Sequence, residues 1–384
     1  MRTKLLLLLL LSLTITACGG GKNQSVIPEN VPSKKPTVEN QLKLKSLWST
    51  TVGGDFNDDA AGFKIEADST AIYTASQNGL VRAIDRQKGK IIWKRKFKNG
   101  LSAGVGLGQQ QVFVANQKGE VIALSTEDGT ELWRYQASSE VLTAPAASDD
   151  IIIVRSSDGK VHGLSANDGR SEWILQRDLP RLSLRGDSQP LLTQGVAVIG
   201  FATGNMLAIR AKDGAVIWDV PVSTPRGSNE IERIIDIYSK PLLIRQTLIA
   251  NTFQGSVIAI DVPTRKLLWR AQHSSYQDIS TDNVSLYVSN EEGQLLALDS
   301  QTGDTVWSKD DLLYRNISSP SLLGSYLLVF GNDKDMYLFA KEDGALFGRY
   351  KFASGSMIGK PLIDGNQFYV LTSNGSLRAY ELTQ

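Results

Sequence analysis

The stretch A-I-D-R-Q-K-G-K-I-I-W, Ala83–Trp93, reads as a strand, a tight turn and a second strand. Its alternating β-branched residues suit a pleated surface, and Lys88-Gly89 supplies the turn. The rest of the chain repeats the pattern, with a Trp four residues past the turn Gly. The pairs are Gly89 and Trp93, Gly129 and Trp133, Gly169 and Trp173, Gly214 and Trp218, and Gly303 and Trp307. Before Trp269 the Gly position is held by Arg265. From Trp93 onward the Trp spacings are 40, 40, 45, 51 and 38 residues. A period of about 40 residues holding several short strands is the signature of a repeat architecture.

One period, Val141–Gln176, resolves into four strands. Val141–Ser148 comes first, and Ile151–Arg155 follows the Asp149-Asp150 turn. Lys160–Ser165 follows Ser157-Asp158-Gly159, and Ser171–Gln176 follows Asn167-Asp168-Gly169. Four short antiparallel strands per period make a propeller blade. The third strand counts the blades: Leu80–Asp85, Val121–Ser125, Val161–Ser165, Met206–Arg210, Val257–Asp261, Leu295–Asp299, Met336–Ala340 and Leu377–Glu381, eight in all. The seventh copy has Gly348 in place of its Trp, and the eighth ends before a fourth strand. Leu44–Val52, carrying Trp48, resembles a fourth strand without a third before it. Pairing it with the C-terminal strands completes blade eight and covers edges that would otherwise invite aggregation. The expected fold is an all-β, eight-bladed propeller spanning 44–384. The once-per-blade Trp is read as packing: each indole covers the neighbouring blade and places its N–H on an acceptor.

The N-terminus has a different character. Arg2 and Lys4 precede an apolar run, Leu5–Thr16, too short to span a bilayer but suited to a secretory signal. Ile15-Thr16-Ala17-Cys18-Gly19 resembles the box of bacterial lipoproteins, and Cys18 is the only cysteine in the chain. The expected organisation is a signal peptide over 1–17, then a lipidated Cys18 and flexible tether over 18–43. Several acyl chains on Cys18 give stable anchoring. With Gly19 next, the resemblance points to the outer membrane, facing the periplasm. The tether, rich in Gly, Asn, Ser, Lys and Pro, has an expected reach on the order of 25–30 Å.

Composition excludes several classes. The formal charge is +1, and loss of Arg2 and Lys4 with the signal leaves 39 basic and 40 acidic residues. That balance offers nothing to nucleic acid. Two histidines and one cysteine do not furnish a zinc site, haem attachment or a cysteine-protease arrangement.

Function is expected where the repeat breaks, because loops on a rigid scaffold vary freely. From Trp133 to Pro145 is 12 residues and from Trp307 to Pro320 is 13, but from Trp173 to Pro190 is 17 and from Trp218 to Pro241 is 23. The two long connections flank blade four and emerge on one face. The first, Arg177–Asp187, mixes Leu179, Leu182 and Leu184 with Arg181 and Arg185. The second, Ser223–Tyr238, contains Asn229–Asp236, read as a turn or two of helix with Ile231, Ile234 and Ile235 on one side. Leu, Ile and Arg displayed together suit a protein–protein patch. Composition equally fits loops that only cover the ends of blade four.

A-x-D-x-x-x-G-K-x-x-W at Ala83–Trp93 is similar to the repeat of pyrroloquinoline-quinone enzyme propellers. The lipoprotein box, the tether, the eight blades, and the loops Leu182-Ser-Leu-Arg-Gly186 and Glu230-Ile-Glu-Arg233 with Asp236 resemble the BamB family. This is the lipoprotein subunit of the outer-membrane β-barrel assembly (BAM) machinery. The resemblance implies no catalysis and no cofactor. It implies binding to the periplasmic POTRA domains of the central subunit, BamA, alongside the other BAM subunits, and help in delivering unfolded outer-membrane proteins. The contact residues implied are Leu182, Leu184 and Arg185 from the first loop and Asp236 from the second. The family often places a second acid two residues past that Asp; here Tyr238 stands there. Two other readings are a small quinoprotein dehydrogenase, which needs Ca²⁺ ligands at the axis and often a Cys pair, and a periplasmic scaffold with an unrelated partner.

Overall fold

The computed structural model describes residues 30–54, 56, 60–148, 150–180, 182, 188–223, 228, 234–237, 239–253, 255–332, 334–352 and 355–384. Met1–Val31 separates as its own unit, of which the described residues are the last two; the body is Pro32–Gln384. The signal peptide, Cys18 and the tether as far as Glu29 therefore lie outside the described residues.

Eight four-stranded antiparallel sheets make the eight blades of a closed propeller. Blade one is Glu66–Ala67, Ala71–Ala75, Leu80–Asp85 and Ile91–Lys96, hydrogen-bonded in that order from the inside out. The third strands fall where the repeat places them, from Leu80–Asp85 to Ser376–Thr383. Blade eight is closed as expected: Lys43–Thr51 pairs antiparallel with Ser376–Thr383, Trp48 standing opposite Ala379.

Middle strands are covered on both faces by adjacent blades, so they read as unbroken apolar runs. Gln111–Ala115 is buried at every residue, whereas the outer strand Ile91–Lys96 buries only Trp93. The cores bridge neighbouring blades: Phe113 and Trp133 of blade two pack with Ile152, Val154 and Leu164 of blade three.

The geometry explains why Gly and Trp recur together. The Trp93 indole N–H donates to the Thr126 carbonyl of the next blade at 2.8 Å, Trp133 to Ala166 at 2.9 Å, and Trp173 to Ala211 at 2.8 Å. Each ring lies on the turn Gly of that next blade. A Cβ on Gly129 would sit 2.5 Å from Trp93 Cε3, and Gly129 also has φ +73°. Gly is thus required twice, for the left-handed turn and for the indole above it. Trp218 clusters with Val262 of blade five, where Arg265 takes the turn position at φ 61°.

Part of the segment expected to be tether is placed on the body. Residues 33–42 lie along blade seven: the Ser33 amide donates to the Leu313 carbonyl at 3.0 Å and Lys35 pairs with Asp335 at 2.9 Å. Arg349 donates to the Pro36 carbonyl at 2.9 Å, and Gln41 N–H to the Phe347 carbonyl at 3.2 Å. This is the blade that lost its Trp. Tyr350 folds its ring over Gly348 instead, and its hydroxyl donates to the Leu42 carbonyl at 2.7 Å. Leu42 and Leu44 pack against the same cluster. A polar, Pro-bearing segment is fixed here by partners some 300 residues away, which composition does not register.

Candidate functional site

The two long connections, one from blade three into blade four and one from blade four into blade five, are joined near their ends. Ser188, 1% exposed, donates through its hydroxyl to the Ser239 carbonyl at 2.8 Å. Beneath this bond lies Arg155, also buried. Its guanidinium donates to the carbonyls of Ser188 at 3.0 Å and Gly200 at 2.9 Å, and lies 4.8 Å from the Phe201 ring centroid. A buried guanidinium, with five N–H donors, needs this set of acceptors and the ring face. Arg177 at the start of the first connection pairs with Asp219 on the outer strand of blade four.

The second connection enters as a wedge. Ile235 and Ile237 are buried, and they close on the glycines of blade four: a Cβ on Gly204 would lie 2.4 Å from Ile235 Cδ1, and one on Gly200 2.3 Å from Ile237 Cγ2. The Phe253 N–H donates to the Asp236 carbonyl at 3.0 Å. Residues 234–237 have no helix, which corrects the expected helical turn over that part. Burial of Ile235, Asp236 and Ile237 in succession requires a segment inserted between blades four and five, not a helix with one wet side. Asn229–Arg233 lies outside the described residues.

The four expected contact residues therefore differ in placement. Leu182 is 49% exposed and Leu179 43%, an apolar pair on the surface. Asp236 is 3% exposed, buried between Ile235 and Ile237. Leu184 and Arg185 lie outside the described residues, as does Tyr238. Sequence reading missed Arg155, Ser188 and Ser239. A signal for Arg155 exists: its repeat equivalents are Ala75, Ala115, Gly200, Asn251, Ser289, Phe330 and Leu371, none of them charged.

The propeller axis holds a second concavity, a cavity of about 1010 Å³ lined by Lys64, Glu66, Lys240, Asp278 and Lys360 among others. Lys64 pairs with Glu66, and Lys360 lies 3.8 Å from Asp278 while donating to the Ile279 carbonyl at 3.3 Å. Burial, with Lys64 nearby, pushes the Lys240 ammonium below its ordinary value. Quinone cofactors of propeller enzymes sit with Ca²⁺, which wants several carboxylate or carbonyl oxygens. Here each carboxylate faces a lysine, and a third lysine stands beside them. Among the described residues no group of three or more His, Cys, Asp or Glu comes together. The lining does not fit that metal–quinone pair.

Fold and site together define an eight-bladed propeller of the quinoprotein-like repeat type whose elaboration is a joined loop pair rather than an axial metal centre. Its relatives narrow the class. The family described as outer membrane protein assembly factor BamB matches residues 77–309. BamB of Pseudomonas aeruginosa is 40% identical over 375 residues, covering 98% of each chain. The crystal structure of BamB from Moraxella catarrhalis superposes with a TM-score of 0.80, at 24% identity, over 88% of this chain and 100% of that one. A quinohemoprotein alcohol dehydrogenase from Comamonas testosteroni shares the propeller alone: TM-score 0.69, 11% identity, 88% of this chain and 76% of that one. The chain belongs to the BamB family.

Proposed function

We propose that the protein is a non-catalytic scaffold lipoprotein of the outer-membrane protein assembly machinery. On this reading it is lipidated at Cys18, anchored in the outer membrane and faces the periplasm. It binds the POTRA domains of BamA through the first long connection, with Leu182, Leu184 and Arg185 as contacts, and so assists the folding and insertion of β-barrel proteins. Asp236 acts from beneath, its backbone carbonyl holding the second connection to Phe253 of blade five. Unfolded barrel proteins and the other BAM subunits are its further partners.

The observation that carries the reading is the loop pair itself. Two consecutive long connections are tied by Ser188 and Ser239 and display Leu179 and Leu182 to solvent. Arg is enriched in binding hot spots, and apolar side chains displayed beside it supply the surrounding contact that excludes water. The test is capture of purified POTRA domains by the full chain. The triple variant Leu182→Ala, Leu184→Ala, Arg185→Ala should weaken capture by at least about tenfold, since hot-spot truncations cost more than about 1–2 kcal/mol. Its thermal unfolding should match the parent. Undiminished capture by this variant would refute the assignment.

A further inference from the structure

We propose that the outer strand of blade one, with the groove between it and blade two, is a docking site for an extended polypeptide segment rich in carboxylates. The strand Ile91–Lys96 reads I-I-W-K-R-K and is followed by Phe97 and Lys98. Lys94, Arg95, Lys96 and Lys98 are all exposed. Lys96 rests on the Asn78 carbonyl, and among the described residues none of the four is paired with a carboxylate. Beside them runs a groove of about 510 Å³, also lined by Asn99, Asn116 and Arg134. The acidic residues of that groove are engaged already: Arg134 pairs with Glu120 and, at 2.9 Å, with Glu131.

This concentration is local. The whole chain has a formal charge of +1, and no other outer strand carries more than two cations. Lysines on an edge strand deter unwanted pairing, and the other outer strands manage with two cations or fewer. Blade one goes further: Arg82 stands directly opposite Lys94 in the register, a like-charge pair that works against the sheet. The stripe therefore exceeds what protection of the edge requires, and it is complementary to a dense negative partner.

Geometry selects the kind of partner. Trp93 and Arg95 share one face of the strand, and Lys94 and Lys96 share the other. A planar anionic surface cannot lie against both faces. An extended chain along the edge can, because its carboxylates alternate in the same way. The sheet order of blade one ends with this strand, so outward N–H and C=O groups are open to it. The lysines also supply selectivity, since they repel a cationic segment.

The experiment uses the full chain and a fluorescent peptide alternating glutamate with threonine. Its lysine-for-glutamate counterpart, and vesicles of neutral and of anionic phospholipid, are run beside it. Expected are binding of the acidic peptide that weakens steeply with salt, no binding of the basic one, and loss of at least about tenfold in affinity in Lys94→Glu/Lys96→Glu. A second variant, Arg95→Glu, should weaken it separately, and both should unfold at the parent temperature and still capture POTRA domains. Equal affinity of parent and variants, salt-independent binding, or association with anionic vesicles but not with the acidic peptide would each overturn the proposal.

Discussion

The Ser188 hydroxyl donates to the Ser239 carbonyl at 2.8 Å across 51 residues of sequence. One buried bond thus turns two separate insertions into a single platform. Ser188→Ala should lower the unfolding free energy by about 1 kcal/mol, the usual worth of such a bond. Because the platform loosens, POTRA capture should fall by more than the stability loss alone explains. Urea denaturation and capture measured on the same preparations check both parts.

Arg155 is the deeper support. Arg155→Met keeps the length of the side chain but leaves the buried Ser188 and Gly200 carbonyls without their donor. The expected loss is more than about 2 kcal/mol. A urea midpoint equal to the parent's would show that the guanidinium is dispensable.

The Gly–Trp contacts separate two kinds of glycine. Gly169 has φ +70°, and a Cβ there would lie 2.4 Å from Trp133 Cε3; Gly195 has φ +75° with nothing within 4 Å. Gly195→Ala should therefore cost only left-handed backbone strain, about 1–2 kcal/mol. Gly169→Ala should cost distinctly more, because the ring must also move. Comparable midpoints for the two variants would remove the packing explanation of the repeat.

Arg265 offers the reverse change. It holds φ 61° where other blades have Gly, so Arg265→Gly should raise stability by about 0.5–1 kcal/mol. A lower melting temperature in this variant would mean the Arg side chain makes a compensating contact.

His162 predicts a pH dependence. It is buried, with Nε2 2.9 Å from the Ser156 hydroxyl and Nδ1 3.1 Å from the Tyr135 hydroxyl, and burial pushes its pKa down. The folded state keeps the ring neutral, while the unfolded chain takes up a proton below about 6.5. Stability contributed by the neutral ring is present above that pH and falls as the pH drops beneath it. His273 is shifted the same way, so His162→Gln should reduce the slope of stability against pH between about 6.5 and 5 without abolishing it. An unchanged slope counts against the assignment.

The eight blades, their order and the closure by Lys43–Thr51 were legible because each rests on local chemistry repeated many times. Alternating β-branched residues, a turn Gly and a Trp four residues later report the same packing problem in every blade. The exposed Leu182 followed from a break in that repetition. What escaped was whatever depends on one contact between distant parts. Asp236 has the residue type of a surface contact, yet the wedge made by Ile235 and Ile237 carries it inside. Residues 33–42 have the composition of a tether, yet Tyr350, Arg349 and Asp335 hold them on blade seven. The charges of Lys94, Arg95 and Lys96 are plain in the chain, but only the fold shows that no carboxylate among the described residues pairs with them. The amino-acid order by itself determined the propeller, since strand period and turn chemistry act between neighbours in the chain. Tertiary structure alone decided which polar groups are buried, paired or left facing solvent, because burial and pairing depend on neighbours in space.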